Sequence, residues 1–435
     1  MKDESEMEAA KDSLRPNPEV VFRKEEDGAF LFDPQSGNLK YINRTGVRIY
    51  ELCGSGKSRA EIVALLKDAY PDADEEAIAA DAMSFLKGLA ELGFLRKDEG
   101  HESDTPPLGS LYLYLSESCN LRCRHCWVSP APPGDGAETL ADYAVLTEAI
   151  VRAKELGLGA VKLTGGEPFL RGDIVALLRF LRREDLIIDI ETNGTMIDAD
   201  MARILGECGV RQVSISLDAA RADRHDRLRG VPGCHGRAVE ALRRLGSEGI
   251  ARQVIMSLYG ENIPEIEPLA ALCDDLGVTS LKINPVMPTG RGKTVFQRGE
   301  NVAIEELLRI DRRIDTQLND RYKTAISLCM PIGLKSLEAI TGTPLYECHI
   351  LNILGILADG TVSLCGIGQT ETELNMGNIA TDDLRTIWRH HPLLQRLRED
   401  MPSGLGGVCG SCIFKFRCLG SCRACAYTVA GDLCS

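Results

Sequence analysis

Between residues 110 and about 320, short apolar runs alternate with longer stretches in which apolar side chains recur every three or four positions. The runs LYLYLS, AVKLTG, LIIDIETNG, QVSISLDA, RQVIMSL and SLKINPV read as strands. The stretches 139–156, 172–184, 198–208, 235–249 and 262–276 read as helices. Six strand-then-helix units predict an α/β fold with a parallel sheet covered by helices. A closed eight-unit barrel takes about 250 residues, so a span of about 210 predicts an incomplete one, a partial (β/α)6 TIM barrel over 109–325.

The chain before it has another pattern. VVFRKEE, AFLFDPQSG and NLKYINRTG read as three short strands, separated by the turn signals Asp27–Gly28 and Ser36–Gly37. Val47, Ile49, Tyr50 and Leu52 then take helical spacing, and Ser58-Arg-Ala-Glu61 offers an N-cap with an acidic partner for a second helix. A third helix is expected from Asp74 to Leu95. Three strands and three helices predict a winged-helix-like domain over 18–98. Residues 1–17 read as a polar tail, and 99–108, with two prolines, as a linker. From about 345 helical patterns fade and glycines and cysteines take over. Residues 326–435 therefore read as a Cys-rich domain held by metal rather than by a large apolar core.

Composition narrows the class. With 44% hydrophobic and 26% charged residues the chain reads as soluble and globular. No apolar run is long enough to span a bilayer, and MKDESEMEAAKDSL lacks the apolar stretch of a signal peptide, so a cytoplasmic protein without a membrane partner is expected. A net charge of −14 repels phosphate backbones, and no nucleic-acid partner is expected. Sixteen cysteines in a chain able to bury a core without staples point to metal rather than to disulfides.

Cys119-Asn-Leu-Arg-Cys123-Arg-His-Cys126 follows directly on the first barrel strand, at the end where such folds place chemistry. Three thiolates leave one iron of a cubane cluster open to a chelating small molecule. A zinc site short of its fourth ligand is the alternative. After the second strand comes Gly165-Gly166-Glu167-Pro168. Its glycines let the backbone approach a ligand, and its carboxylate suits an amino group, although the motif alone is also a plain turn.

These motifs, in these places, resemble those of the radical S-adenosylmethionine (SAM) superfamily over about 110–320. The resemblance implies a [4Fe–4S] cluster on Cys119, Cys123 and Cys126 that binds SAM, with Gly165, Gly166 and Glu167 at the methionine amine. It places His125 near the adenine, and Asn193, Ser216 and Asp218 at ribose or carboxylate. Arg229 and the Pro288–Gly292 run are looser matches, and ordinary strand-end capping is the alternative for these four side chains. It also implies an oxidoreductase that reductively cleaves SAM to a 5′-deoxyadenosyl radical, which takes hydrogen from an unactivated C–H bond. An external electron donor such as flavodoxin or ferredoxin follows. No residue identifies itself as a catalytic acid or base.

Cys348, eleven residues, Gly360, four residues and Cys365, then Cys409-x2-Cys412-x5-Cys418-x3-Cys422 and a last Cys434, resemble the SPASM extension of peptide- and protein-modifying radical enzymes. The resemblance implies two auxiliary clusters, hence three [4Fe–4S] clusters in all. Cys348, Cys365 and Cys422 belong to the first, and Cys409, Cys412, Cys418 and Cys434 to the second. The first is one ligand short. Cys329 is the candidate, with Cys425 or an open iron as alternatives. Cys53, Cys208 and Cys273, on apolar helical faces, read as small buried hydrophobes.

Residues 20–98, with Tyr41-Ile-Asn43-Arg-Thr-Gly46, resemble the PqqD-like domain that binds leader peptides in pyrroloquinoline quinone biosynthesis. The resemblance implies a leader added as a strand beside NLKYIN and the third helix. A DNA-binding winged helix is the alternative, and the acidic Asp72–Glu76 stretch opposes it. Together the three resemblances imply a maturase of a ribosomally made precursor peptide, installing a thioether, C–C or C–O link or altering a residue. The alternatives are a radical enzyme acting on a tetrapyrrole or a folded protein, as sulfatase maturases do, and a non-catalytic iron–sulfur peptide-binding protein.

Overall fold

The computed structural model describes residues 14–33, 36–97, 105–134, 140–336, 339 and 348–435. No helix among them is long and apolar enough to cross a membrane. The chain divides into two compact units. One holds Met1–Asp104, Ser336–Leu345 and Gly407–Leu419; the other holds Thr105–Lys335, Tyr346–Gly406 and Gly420–Ser435.

In the first unit β1 (Leu14–Pro16), β2 (Val21–Lys24), β3 (Gly28–Phe32), β4 (Leu39–Asn43) and β5 (Leu95–Lys97) make two antiparallel sheets. β1 pairs with β5, and β2-β3-β4 form the other, with β4 at its edge. Ala29, Leu31 and Ile42 point from that sheet into a core closed by Ile49, Cys53, Ile62, Leu66, Leu86 and Leu89. These come from helices Arg44–Gly54, Arg59–Ala69 and Glu75–Glu91, each opened by a side chain that satisfies a free amide. Asn43 accepts from Gly46, Ser58 and Glu61 form a reciprocal capping box, and Asp74 accepts from Ala77. Phe414, from the Gly407–Leu419 segment, is buried with its ring 6.1 Å from that of Phe32 in an edge-on contact.

Two segments depart from the sequence reading. The third helix ends at Glu91, because Gly93 at φ +79° turns the chain, and Leu95–Lys97 continues as β5 rather than as helix. The expected tail through residue 17 is too long. Leu14 is buried and Leu14–Pro16 pairs with β5, so apolar burial and a strand partner draw these residues into the fold. Residues 1–13, and 99–104 of the linker, lie outside the described residues. Leu108, at the linker's end, is fully buried.

In the second unit the six expected strands are β6 (Ser110–Tyr114), β7 (Ala160–Thr164), β8 (Ile187–Thr192), β9 (Gln212–Ser216), β10 (Ala251–Leu258) and β11 (Ser280–Pro285). They are parallel and adjacent in chain order. The sheet runs further at both ends. β12 (Ala325–Leu328) lies parallel beside β11, and β13 (Ile353–Ile356) parallel beside β6. β14 (Thr361–Ser363) and β15 (Asn375–Asn378) follow antiparallel, so β12 and β15 are the open edges of a partial barrel. The expected boundary at 325 therefore falls at the start of a strand. β12 is four residues long and only half buried, too short for its alternation to stand out. The region beyond it is not held by metal alone, since Leu354, Leu364, Leu384 and Trp388 are buried in an apolar core.

Along the barrel strands one set of alternate side chains lies buried beneath the helices: Leu111 and Leu113, Val161 and Leu163, Ile188 and Ile190, Leu281 and Ile283. The intervening positions face inward and are polar. Lys162 of β7 pairs with Glu191 of β8 at 3.0 Å, Ser214 of β9 with Gln253 of β10 at 3.1 Å, and Lys282 of β11 is buried among them.

Replacing Ser58 by alanine removes the capping box of helix Arg59–Ala69 and costs that helix about 1 kcal/mol. The expected result is roughly fivefold faster amide hydrogen exchange in its first turn. Unchanged exchange there would show that the cap is idle.

Candidate functional site

The first cysteine loop leaves β6 and is stitched to neighbouring strand ends. Leu115 N–H donates to Thr164 at the end of β7 (2.8 Å), and Cys119 N–H to Ala131 further along the loop (2.9 Å). The amides of Arg122 and Arg124 donate to the Arg229 and Leu228 carbonyls (2.9 and 3.2 Å), at the end of helix Ala222–Arg229. Arg291 N–H donates to the Cys126 carbonyl (2.8 Å), which brings the Pro288–Gly292 run against this loop. Cys119, Cys123 and Cys126 pack together with Cys234, a fourth thiol with no exposure that the sequence reading left unassigned.

The Gly165–Gly166 pair meets the same loop from β7. Gly166 N–H donates to Ser116 O (2.8 Å) and Glu167 N–H to Ser118 O (2.9 Å). A Cβ at Gly166 would lie 2.1 Å from the Ser118 carbonyl oxygen, and one at Gly165 2.8 Å from that of Ser116. The glycines thus let two loops touch. Glu167 is fully buried, and its carboxylate accepts from Thr192 Oγ1 (2.7 Å), Asn193 N–H (3.0 Å) and Phe169 N–H (3.3 Å). Burial pushes its pKa up to about 7 against the pull of those donors. Asn193, just beyond β8, donates to Asn120 Oδ1 at 2.8 Å and lies 3.9 Å from Cys119 Sγ, while Ser216 ends β9.

Asp218, two residues beyond β9, has no exposure and receives the Arg229 guanidinium in a fork, at 2.7 and 2.9 Å. Ser257 N–H donates to it at 3.0 Å, and His125 Nε2 lies 3.5 Å away. Burial alone would raise its pKa, but Arg229 overrides that and holds the carboxyl well below its usual range. Burial lowers the His125 pKa to about 4 and keeps the ring neutral. The remaining Arg229 nitrogen, Nη1, is 3.6 Å from Cys123 Sγ.

Around this loop five buried polar atoms have no partner among the described residues: His125 Nδ1, Tyr259 Oη, Asn284 Oδ1, Thr289 Oγ1 and Arg291 Nε. Their rings and strand ends adjoin, with His125 and Tyr259 5.9 Å apart and Asn284 paired across from Ser257. Orphaned buried groups cost about 1–3 kcal/mol each, so a concentration of them fits a polar ligand such as a nucleoside with an amino-acid tail. Sequence reasoning missed Tyr259 and Asn284, whereas Thr289 lies in the Pro288–Gly292 run. The available signal was the place of Tyr259 directly after β10 and of Asn284 one residue before the end of β11.

The later cysteines fall into two places. Cys329 follows β12, its amide donating to Ile283 O of β11 at 2.8 Å. It lies close enough to Cys348 and Cys422 to affect their charge, as Cys348 and Cys422 do to Cys365. Burial and the neighbouring Cys422 push the Cys425 thiol up. Lys282 shares the neighbourhood of Cys329 and Cys348. Cys409, Cys412 and Cys418 belong to the first unit, where Cys412 Sγ accepts from Phe414 N–H at 3.4 Å. Cys434 belongs to the second, its carbonyl accepting from Gly406 N–H at 2.7 Å. Among the described residues no three His, Cys, Asp or Glu side chains converge on a single ion. Ligands of a cubane bind separate irons and do not need to converge.

The first unit carries a groove of about 570 Å³ beside the edge strand β4. Ile49, Leu66, Ile78 and Phe85 form its apolar lining, and Lys40 and Asp81 its charged one. Leu39 and Tyr41 of β4 are 65% and 48% exposed, an apolar edge of the kind an added strand covers.

Three family models match the chain: the Radical SAM superfamily over 113–273, Coenzyme PQQ synthesis protein D (PqqD) over 28–95, and the SPASM iron-sulfur cluster-binding domain over 348–426. The AdoMet-dependent heme synthase of Oleidesulfovibrio alaskensis is 28% identical over 364 residues, covering 80% of this chain and 90% of that protein. The mycofactocin maturase MftC of Mycobacterium ulcerans is 29% identical over 313 residues, covering 71% and 81%. Among solved structures, Streptococcus suis SuiB bound to precursor peptide SuiA has a TM-score of 0.60 at 17% identity, covering 97% of this chain and 98% of that one. Native anSMEcpe with bound AdoMet and Cp18Cys peptide has 0.57 at 19%, covering 74% and 90%.

Gly166→Ala forces a methyl group into the Ser118 carbonyl, and overpacking of this kind costs about 1–3 kcal/mol. The melting temperature of the full chain is expected to fall. An unchanged melting curve would show that the two loops can part freely.

Proposed function

Because this chain is a radical SAM enzyme carrying PqqD and SPASM domains, we propose that it is a peptide maturase. A ribosomally made precursor docks its leader in the groove beside β4, and its core is modified in the barrel by a cross-link (thioether, C–C or C–O) or a change to one residue. The observation that carries this reading is the groove itself: an apolar slot alongside an exposed sheet edge, which suits an extended peptide added as a strand. Two named proteins support it, one a mycofactocin maturase and one solved with its precursor peptide.

In this reading Cys119, Cys123 and Cys126 hold one [4Fe–4S] cluster. Cys329, Cys348, Cys365 and Cys422 hold a second, and Cys409, Cys412, Cys418 and Cys434 a third. The first cluster and SAM, when bound, supply a 5′-deoxyadenosyl radical. The chain's own residues hold and orient. Glu167 keeps one lone pair for an amino group, and neutral His125 offers Nδ1 as an acceptor for an adenine amine. Gly165, Gly166, Asn193, Ser216 and Arg229 belong to the same pocket, and a cytoplasmic donor such as flavodoxin or ferredoxin delivers the electron.

A second reading, an acidic small molecule such as a tetrapyrrole, has two observations in its favour. The ammonium groups of Lys162 and Lys282 lie on the inner face of the barrel, and three relatives are named AdoMet-dependent heme synthases.

The test is anaerobic reconstitution followed by reduction with SAM. About 12 irons per chain are expected if three cubanes form, and about 8 when Cys119, Cys123 and Cys126 are all alanine. The wild type forms 5′-deoxyadenosine and the triple variant none. Co-expression with candidate precursors is expected to shift peptide mass, and Phe85→Lys in the groove to abolish the shift. A mass shift that survives Phe85→Lys would remove the groove from the proposal.

A further inference from the structure

We propose that Arg229 is held by Asp218 as a charged hydrogen-bond donor to the sulfur of Cys123, and that this contact raises the reduction potential of the cluster on that thiol. The inference rests on reading Cys123 as a cluster ligand.

The geometry has three parts. The Asp218 carboxylate takes Arg229 Nε at 2.7 Å and Nη2 at 2.9 Å, and this two-point fork fixes the guanidinium plane. Nη1 is the nitrogen left over, and it lies 3.6 Å from Cys123 Sγ. Asp218 is itself fixed. Its carboxylate accepts from Ser257 N–H at 3.0 Å, its main-chain N–H donates to His225 Nδ1 at 3.1 Å, and its carbonyl accepts from Asn262 Nδ2 at 3.1 Å. The fork and the Ser257 amide occupy most of the carboxylate's acceptor capacity, which leaves Asp218 little room for a ribose hydroxyl. Its work is done through Arg229, as a positioning residue.

The contact is asymmetric among the three thiols. Cys119 Sγ is approached by Leu121 N–H at 3.5 Å and Asn193 Nδ2 at 3.9 Å, both neutral donors. Cys123 receives its donor from a guanidinium, whose charge the Asp218 carboxylate offsets in part. Charge-assisted bonds are roughly twice as strong as neutral ones, and hydrogen bonds to cluster sulfurs are among the factors that set an iron–sulfur potential. A donor bearing positive charge favours the more negative, reduced state. The main chain of the same helix end also clamps this loop, through the Arg122 and Arg124 amides, so the charge is delivered to a sulfur that is held in place.

The test is an EPR-monitored redox titration of the full-length, reconstituted protein without SAM, following the reduced signal that Cys119→Ala removes. Arg229→Gln is expected to lower the reduced-to-oxidised ratio at a fixed poise about tenfold, which for one electron is about 59 mV. Arg229→Lys, with its charge but without the fork, is expected to fall between. Asp218→Glu keeps the charge and displaces the guanidinium, so it is expected to shift the potential in the same direction as Arg229→Gln. Unchanged potentials in Arg229→Gln overturn the proposal, and an unchanged Asp218→Glu overturns the positioning role. Loss of the signal with the other clusters retained also overturns it, since Arg229 would then be holding the cluster, not tuning it. A wild type with no signal sensitive to Cys119→Ala would instead refute the assignment of these cysteines as ligands.

Discussion

A carboxylate with no access to water has to be answered by its surroundings, and Asp218 is answered by three parts of the second unit at once. Helix Ala222–Arg229 supplies the guanidinium fork, β10 supplies the Ser257 amide, and the first cysteine loop places His125 3.5 Å away. Leaving such an ion without its partner costs about 3–5 kcal/mol, whereas the intact pair contributes little net stability. The pair therefore acts less as a source of stability than as a constraint on arrangement: the helix end, the strand and the loop must meet at one point. Arg122 and Arg124 bind the carbonyls of that helix end, so the position of Cys123 follows from where Asp218 is satisfied.

The second constraint is steric. Two loops leaving adjacent parallel strands at their C-terminal ends bring their backbones into contact only if one of them carries no side chain at the crossing. Gly165 and Gly166 meet that condition, and their removal of bulk lets Glu167 N–H reach Ser118 O. Glu167 then turns inward and ties the β7 loop to the end of β8 through Thr192 and Asn193. The thiols, the glycines and the strand ends thus form a single network.

Much of this was legible in the sequence wherever a local pattern has a local cause. Ser58 and Glu61 three residues apart announced a capping box, and period-two strands followed by helices announced the parallel sheet. The placement of the two loops followed from strand ends. What escaped depends on partners distant in the chain. Leu14–Pro16 is three residues that become a strand only because Leu95–Lys97 lies beside them. β13 joins β6 across more than 200 residues of sequence, which no periodicity can reveal. The sequence suggests that the glycines let a ligand approach, and it does not reveal their close approach to Ser116 and Ser118. Charged residues inside apolar strands, Lys162, Glu191 and Lys282, did carry a signal, since a Lys in AVKLT or SLKIN has to face an interior that answers it.

The same reasoning bears on the fourth ligand of the first auxiliary set. Spacing motifs register thiols that are close in sequence, and Cys329 is separated from Cys348 by a stretch with no cysteine at all. Its nearness is set by the fold: β12 pairs with β11, and Cys329 is the first residue past β12, bound to Ile283 O. Burial pushes the Cys348 and Cys365 thiols up to about 12, so as thiolates in this setting they need positive charge nearby. Lys282, on β11 one residue before Ile283, supplies it to Cys329 and Cys348 together. Cys425 lies three residues beyond Cys422, and the charges that act on its thiol are those of Cys422 and Arg423. Cys329 thus shares with Cys348 the neighbourhood of the buried Lys282 ammonium, and Lys162 acts on Cys348 as well.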